Sequence, residues 1–117
     1  MVLPFRLDAF QVRLAVPGDL LALCRMHEQY RAFEGIEAIG PARAEAMFAR
    51  LLDAPGLGCA LVAESGPNPS GYLALVFVFS LEHLGLTAEV DEFFVDAPSR
   101  SQGAGSALLH AAERVAV

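Results

Sequence analysis

The chain has 117 residues, 55% of them hydrophobic and 19% charged, and a formal net charge of −6. That length fits one domain with one core, the composition excludes a disordered chain, and the acidic balance disfavours nucleic-acid phosphates as partners. No apolar run reaches the ~18 residues of a membrane span, and no charged-then-apolar leader marks a signal peptide. Cys24 and Cys59, isolated in apolar surroundings, read as core thiols of a cytoplasmic protein rather than a disulfide.

Residues 1–10, with Pro4, read as a mixed leader, so the domain proper is expected over 11–117. Gln11 to Val16 alternates polar and apolar as a half-buried strand does. Pro17-Gly18-Asp19 interrupts it, and Asp19 suits a helix N-terminus. From Leu20 to about Phe33, positions Leu20, Leu23, Cys24, His27 or Met26, and Tyr30 recur at helical spacing. Pro41 opens a second helix to about Leu52, stopped by Pro55-Gly56. Gly58 to Glu64 and the nearly all-apolar Tyr72 to Ser80 read as strands around a turn rich in glycine and proline, the second of them central. Leu81 to Thr87 is a connection, Ala88 to Val95 another strand, and Gly103 onward a last helix burying Leu108, Leu109, Ala112 and Val115. The expected fold is α/β (α+β) in the order β-α-α-β-β-β-α.

The junction between the last strand and helix carries the most information. A helix N-terminus leaves unpaired N–H groups with partial positive charge, which suits an anion such as a pyrophosphate. Gly103 and Gly105 remove side chains that would screen those amides, and Arg100 adds a cation at the mouth of the loop. No Gly-Lys-Ser/Thr follows, so this is not a P-loop, and the third glycine of a dinucleotide fingerprint is missing.

Arg100-x-x-Gly103-x-Gly105, following a strand that ends Phe93-Phe94-Val95, resembles the acetyl-CoA-binding motif of the GNAT N-acetyltransferase superfamily. The resemblance covers the chain from Gln11. It implies a mixed, mostly antiparallel sheet flanked by helices, with acetyl-CoA as co-substrate. It assigns cofactor contacts to Phe93, Phe94 and Val95, largely through backbone, and to Arg100, Ser101, Gln102, Gly103, Ala104, Gly105 and Ser106. Phe33-Glu34 together with Asp91 before Phe-Phe-Val looks, more loosely, like the diamine/spermidine N-acetyltransferase branch. That likeness makes Phe33, Glu34 and Asp91 candidate substrate contacts.

Transfer to an amine requires that an ammonium lose its proton, and Asp91 and Glu92 are the candidate catalytic carboxylates. In a regular strand they point to opposite faces, so only one is expected to reach the substrate. His27, beside the core stripe of its helix, reads as structural, and His83 and His110 are left unassigned. Because no two of the three have metal-ligand spacing with Cys, Asp or Glu, no metal site is expected. Tyr30 and Tyr72 are left without a role. Compared with the family, the chain lacks the C-terminal strand, helix and closing strands. The expectation is an acetyl-CoA-dependent N-acetyltransferase acting on a small primary amine, forming a homodimer by strand addition or exchange. The alternative is a catalytically degenerate module that binds CoA or a partner.

Overall fold

Apolar residues at odd and even positions of the central strands demand cover on both faces of the sheet, and helices supply it. The computed structural model describes residues 3–116. It contains strands β1 (Phe5–Leu7), β2 (Phe10–Leu14), β3 (Gly58–Glu64), β4 (Pro69–Ser80) and β5 (Gly85–Val95), with helices α1 (Leu20–Glu34), α2 (Pro41–Asp53) and α3 (Ala104–Ala116). The strands form one sheet in the order β1-β2-β3-β4-β5, every pairing antiparallel. On one face Phe10, Val12, Leu61, Ala63, Leu73 and Leu75 pack against Ala104, Ala107, Leu108 and Ala111 of α3. On the other, Val62, Tyr72 and Phe94 meet Leu23 and Met26 of α1 and Phe48 of α2. Alternate residues of β3 and β4 thus serve two cores, which is why their sequences run apolar without interruption.

Two expectations are corrected. The stretch read as a leader contains β1, paired with β2 through Phe5↔Val12, Arg6↔Gln11 and Leu7↔Phe10. Its turn hides from sequence reading because Asp8, not glycine, takes the left-handed conformation at φ 55°. The connection drawn over Leu81 to Thr87 is shorter than expected, a turn over 81–84, because Gly85, Leu86 and Thr87 already belong to β5 and pair with Ser80, Phe79 and Val78. Here the turn rests on Leu84 at φ 61°, a residue type that seldom adopts that conformation.

Asp19 does not cap α1 with its side chain. It accepts from the Val16 amide at 2.7 Å and binds both terminal nitrogens of Arg13 at 2.8 and 3.0 Å. Arg13 also reaches Glu64 at 2.9 and 3.2 Å, tying β2, β3 and the start of α1 together. The Arg13 hydrogen bonds hold the Asp19 carboxyl below the usual carboxylate range, against the opposing effect of burial. A lowered folded-state pKa gives stability that is present above the unfolded value of about 3.9 and lost as pH falls through the folded one. Asp19→Ala is therefore expected to cost about 2–4 kcal/mol in urea unfolding at pH 7. The deficit relative to wild type should shrink below pH 4, and a deficit independent of pH would contradict the assignment.

Candidate active site

The register of β4 and β5 slips by one residue at a single point. Ala74 faces Glu92 while Leu75 faces Val90, so Asp91 is an extra residue on β5, a β-bulge. The bulge reverses the phase of the strand. Ala88 packs on the α3 side, yet Phe94, an even number of residues on, packs under α1 and α2. The regular-strand expectation of a single inward carboxylate is overturned: Asp91 and Glu92 both line a cavity of about 510 Å³ between the α1–α2 pair and β4–β5.

Glu92 is held by two side chains, Tyr72 and His27. Tyr72, wholly buried on β4, donates its hydroxyl to Glu92 Oε1 at 2.9 Å. Burial, reinforced by the nearby Glu92 carboxylate, pushes the Tyr72 phenol well above its ordinary range, so it stays a donor. His27 of α1 places Nδ1 3.0 Å from the same oxygen. Its Nε2 receives a hydrogen bond from Arg31 Nε at 2.9 Å, and only an unprotonated nitrogen can accept. The partners thus assign His27 as the neutral Nδ1–H tautomer, donating to Glu92. Arg31 sits one helical turn beyond His27 and is anchored to the Glu37 carbonyl at 2.7 Å. Phe48 meets both His27 and Tyr72 edge-on, with ring centroids 5.4 and 5.8 Å away. Asp91 is exposed and, among the described residues, has no hydrogen-bond or ion-pair partner.

On the opposite side of β5, Phe93 and Val95 approach the start of α3. A Cβ added at Gly105 would lie 3.3 Å from Phe93 Cζ and 3.8 Å from Val95 Cγ2, so glycine permits this close contact. Asp96 opens the loop by accepting from the Ser99 amide at 3.2 Å. The Gln102 amide is spent on the Ser99 carbonyl at 3.3 Å, which removes it from the expected anion-binding set. Among the described residues, the amides of Ser101, Gly103, Ala104, Gly105 and Ser106 have no protein acceptor. Ser101 and Gly103 take φ values of 66° and 103° in the turn that leads into α3. Asp8 Oδ2 stands 3.3 Å from where a Gly103 Cβ would be, an exposed carboxylate that solvent screens.

Arg100 is exposed but anchored rather than free. Its Nε donates to the Val95 carbonyl at 2.9 Å, and the guanidinium covers the rings of Phe33 and Phe94 at 5.1 and 5.6 Å. The Val95 carbonyl is therefore engaged, while the guanidinium's terminal nitrogens have no partner among the described residues. Phe33 belongs to this end of β5 and does not line the cavity, and Glu34 is exposed outside it. Phe94 is core, and Phe93 is partly exposed against α3. The sequence reading missed His27, Arg31 and Tyr72. The i, i+4 spacing of His27 and Arg31 was the available signal, but their convergence on Glu92 depends on the bulge. No cluster of three metal-ligating side chains occurs among the described residues.

The acetyltransferase (GNAT) family has a sequence model that matches residues 22–117. An integron cassette protein from the mobile metagenome of Cole Harbour salt marsh is similar, at 34% identity over 89% of this chain and 68% of that one, with a TM-score of 0.83. A GCN5-related N-acetyltransferase of Ralstonia eutropha JMP134 shares the fold at 24% identity, covering 91% and 74% of the two chains, with a TM-score of 0.71. So does a predicted acetyltransferase of Clostridium acetobutylicum solved with acetyl-CoA, at 19% identity, 92% and 73% coverage and a TM-score of 0.76. No curated protein matches the chain.

Proposed function

Because this chain belongs to the GNAT acetyltransferase family, we propose that it transfers an acetyl group from acetyl-CoA directly to a small primary amine bound in the cavity beside Asp91 and Glu92. The observation that carries this reading is the Glu92 carboxylate, fixed by Tyr72 and His27 at the cavity wall while open amides lie across the strand. Those amides, at Ser101 and from Gly103 to Ser106, fit a pyrophosphate, and the helix N-terminus adds favourable potential. Acetyl-CoA supplies an activated acetyl thioester. The outer edge of β5 has no neighbouring strand among the described residues, so its backbone groups are available to the pantetheine amides.

In this reading Asp91 attracts the ammonium and Glu92 receives its proton, directly or through one water. The neutral nitrogen bonds to the acetyl carbon as the carbon–sulfur bond breaks, and the CoA thiolate takes up the second proton that the nitrogen sheds on becoming an amide, leaving as the thiol. Tyr72 and His27 hold Glu92 in place by donating to it, and Arg31 fixes the His27 tautomer. Phe79, Leu84 and Leu86, exposed at the end of the β4–β5 hairpin beside the unpaired edge, support a homodimer formed by strand addition.

Thiol release from acetyl-CoA in the presence of a panel of primary amines tests the proposal. Amine-dependent release is expected, together with calorimetric heat for CoA alone. Heat without release from any amine would select a binding module, and no heat would defeat both readings.

A further inference from the structure

The cavity has a chemical polarity that the family resemblance does not describe. Both carboxylates lie where β4 and β5 change register. From Ala74, opposite Glu92, the lining follows β4 to Phe77, about 10 Å at the usual strand rise. Along that path α2 contributes Met47, Phe48 and Leu51, the following loop Leu57, and β4 Val76. Among the described residues, no carboxylate other than Asp91 and Glu92 lines the cavity. The other charged lining groups are cations: Arg31, already bonded to His27 and the Glu37 carbonyl, and Arg50, which has no partner among the described residues.

We infer that the acceptor is a monoamine with an uncharged apolar body, not a polyamine and not an α-amino acid; the inference rests on the acetyl-transfer reading above. One ammonium finds Asp91 and Glu92. A second, placed further along the chain, lies against the partly buried Leu51 and Val76, which offer it no acceptor, and meets the positive charge of Arg31 and Arg50. An α-carboxylate next to the amine is pressed against Asp91 and Glu92, where like charges repel. An alkyl or aryl body of about the length of the lined path buries its surface on the α2 face. The diamine-like sequence pair Phe33-Glu34 lies outside this cavity and does not oppose the assignment.

The test compares hexylamine with its isostere pentane-1,5-diamine, with spermidine and leucine as further arms, by thiol release at saturating acetyl-CoA. Hexylamine is expected to exceed each of the others in kcat/KM by about tenfold or more. Met47→Glu adds a carboxylate to the wall at a residue 60% exposed, which spares the core, and should narrow or invert the hexylamine–diamine gap. Equal or faster turnover of the diamine, spermidine or leucine by the wild type overturns the inference. Should no amine be acetylated, the transfer reading fails separately. The amines are then titrated into the ¹⁵N-labelled protein without acetyl-CoA. Larger shifts at Ala74, Val76 and Glu92 with hexylamine than with the diamine sustain the cavity assignment, and equal or absent shifts end it.

Discussion

Glu92→Gln is expected to lower kcat for amine acetylation by about 10²–10⁴-fold, the usual contribution of a positioned general base. The substitution keeps the shape of the side chain. Its amide oxygen still accepts from the Tyr72 hydroxyl and from His27 Nδ1, so the surrounding hydrogen bonds and the fold survive. What disappears is the ability to take up a proton. KM for acetyl-CoA should therefore hold within a few-fold while the rate falls. Steady-state thiol release measures both. A variant that retains the wild-type rate would move the proton acceptor elsewhere, with Asp91 the next carboxylate in line.

The second large effect belongs to the other side of the strand. Gly105→Val is expected to weaken CoA binding by about a hundredfold or more, read by calorimetry. The introduced Cβ lies 3.3 Å from Phe93 Cζ, and its two methyl groups must go either toward Val95 or over the amides at the start of α3. Losing two hydrogen bonds to a charged phosphate costs about 3–6 kcal/mol, which sets that magnitude. Phe93 is partly exposed and can yield, so the domain should stay folded by circular dichroism. Gly105→Ala offers a graded control with a smaller loss. Unchanged CoA affinity in the valine variant would mean that the phosphates lie away from this loop.

The sequence made the strand–loop–helix at Phe93 to Leu109 legible because its signals are local: a hydrophobic strand, two glycines and an apolar helix. The same holds for α1, α2 and β3, whose periodicity and breakers lie within each element. Failures came where local chemistry was silent. Asp8 and Leu84 adopt left-handed conformations that their residue types seldom announce, so β1 and the start of β5 were hidden. The candidate acid–base group divided in the same way. Asp91 and Glu92 stood out as carboxylates among apolar neighbours, whereas His27 read as structural, Tyr72 had no role and Arg31 drew no reading at all. Tyr72 is both core and site: it is fully buried between α1 and α2, and its hydroxyl is the part of it that reaches Glu92. Dual service of that kind is a tertiary property, and one strand's sequence does not carry it.

The extra residue at Asp91 makes β5 a strand of two halves with opposite parity. Grafting, consensus redesign or library construction across that point must carry the insertion with it. A template lacking the insertion would exchange the inner and outer residues of everything downstream, sending Phe94 toward α3 and stranding Glu92 away from its hydroxyl and imidazole donors. A length-preserving shuffle at this site is thus a change of topology in the guise of a substitution.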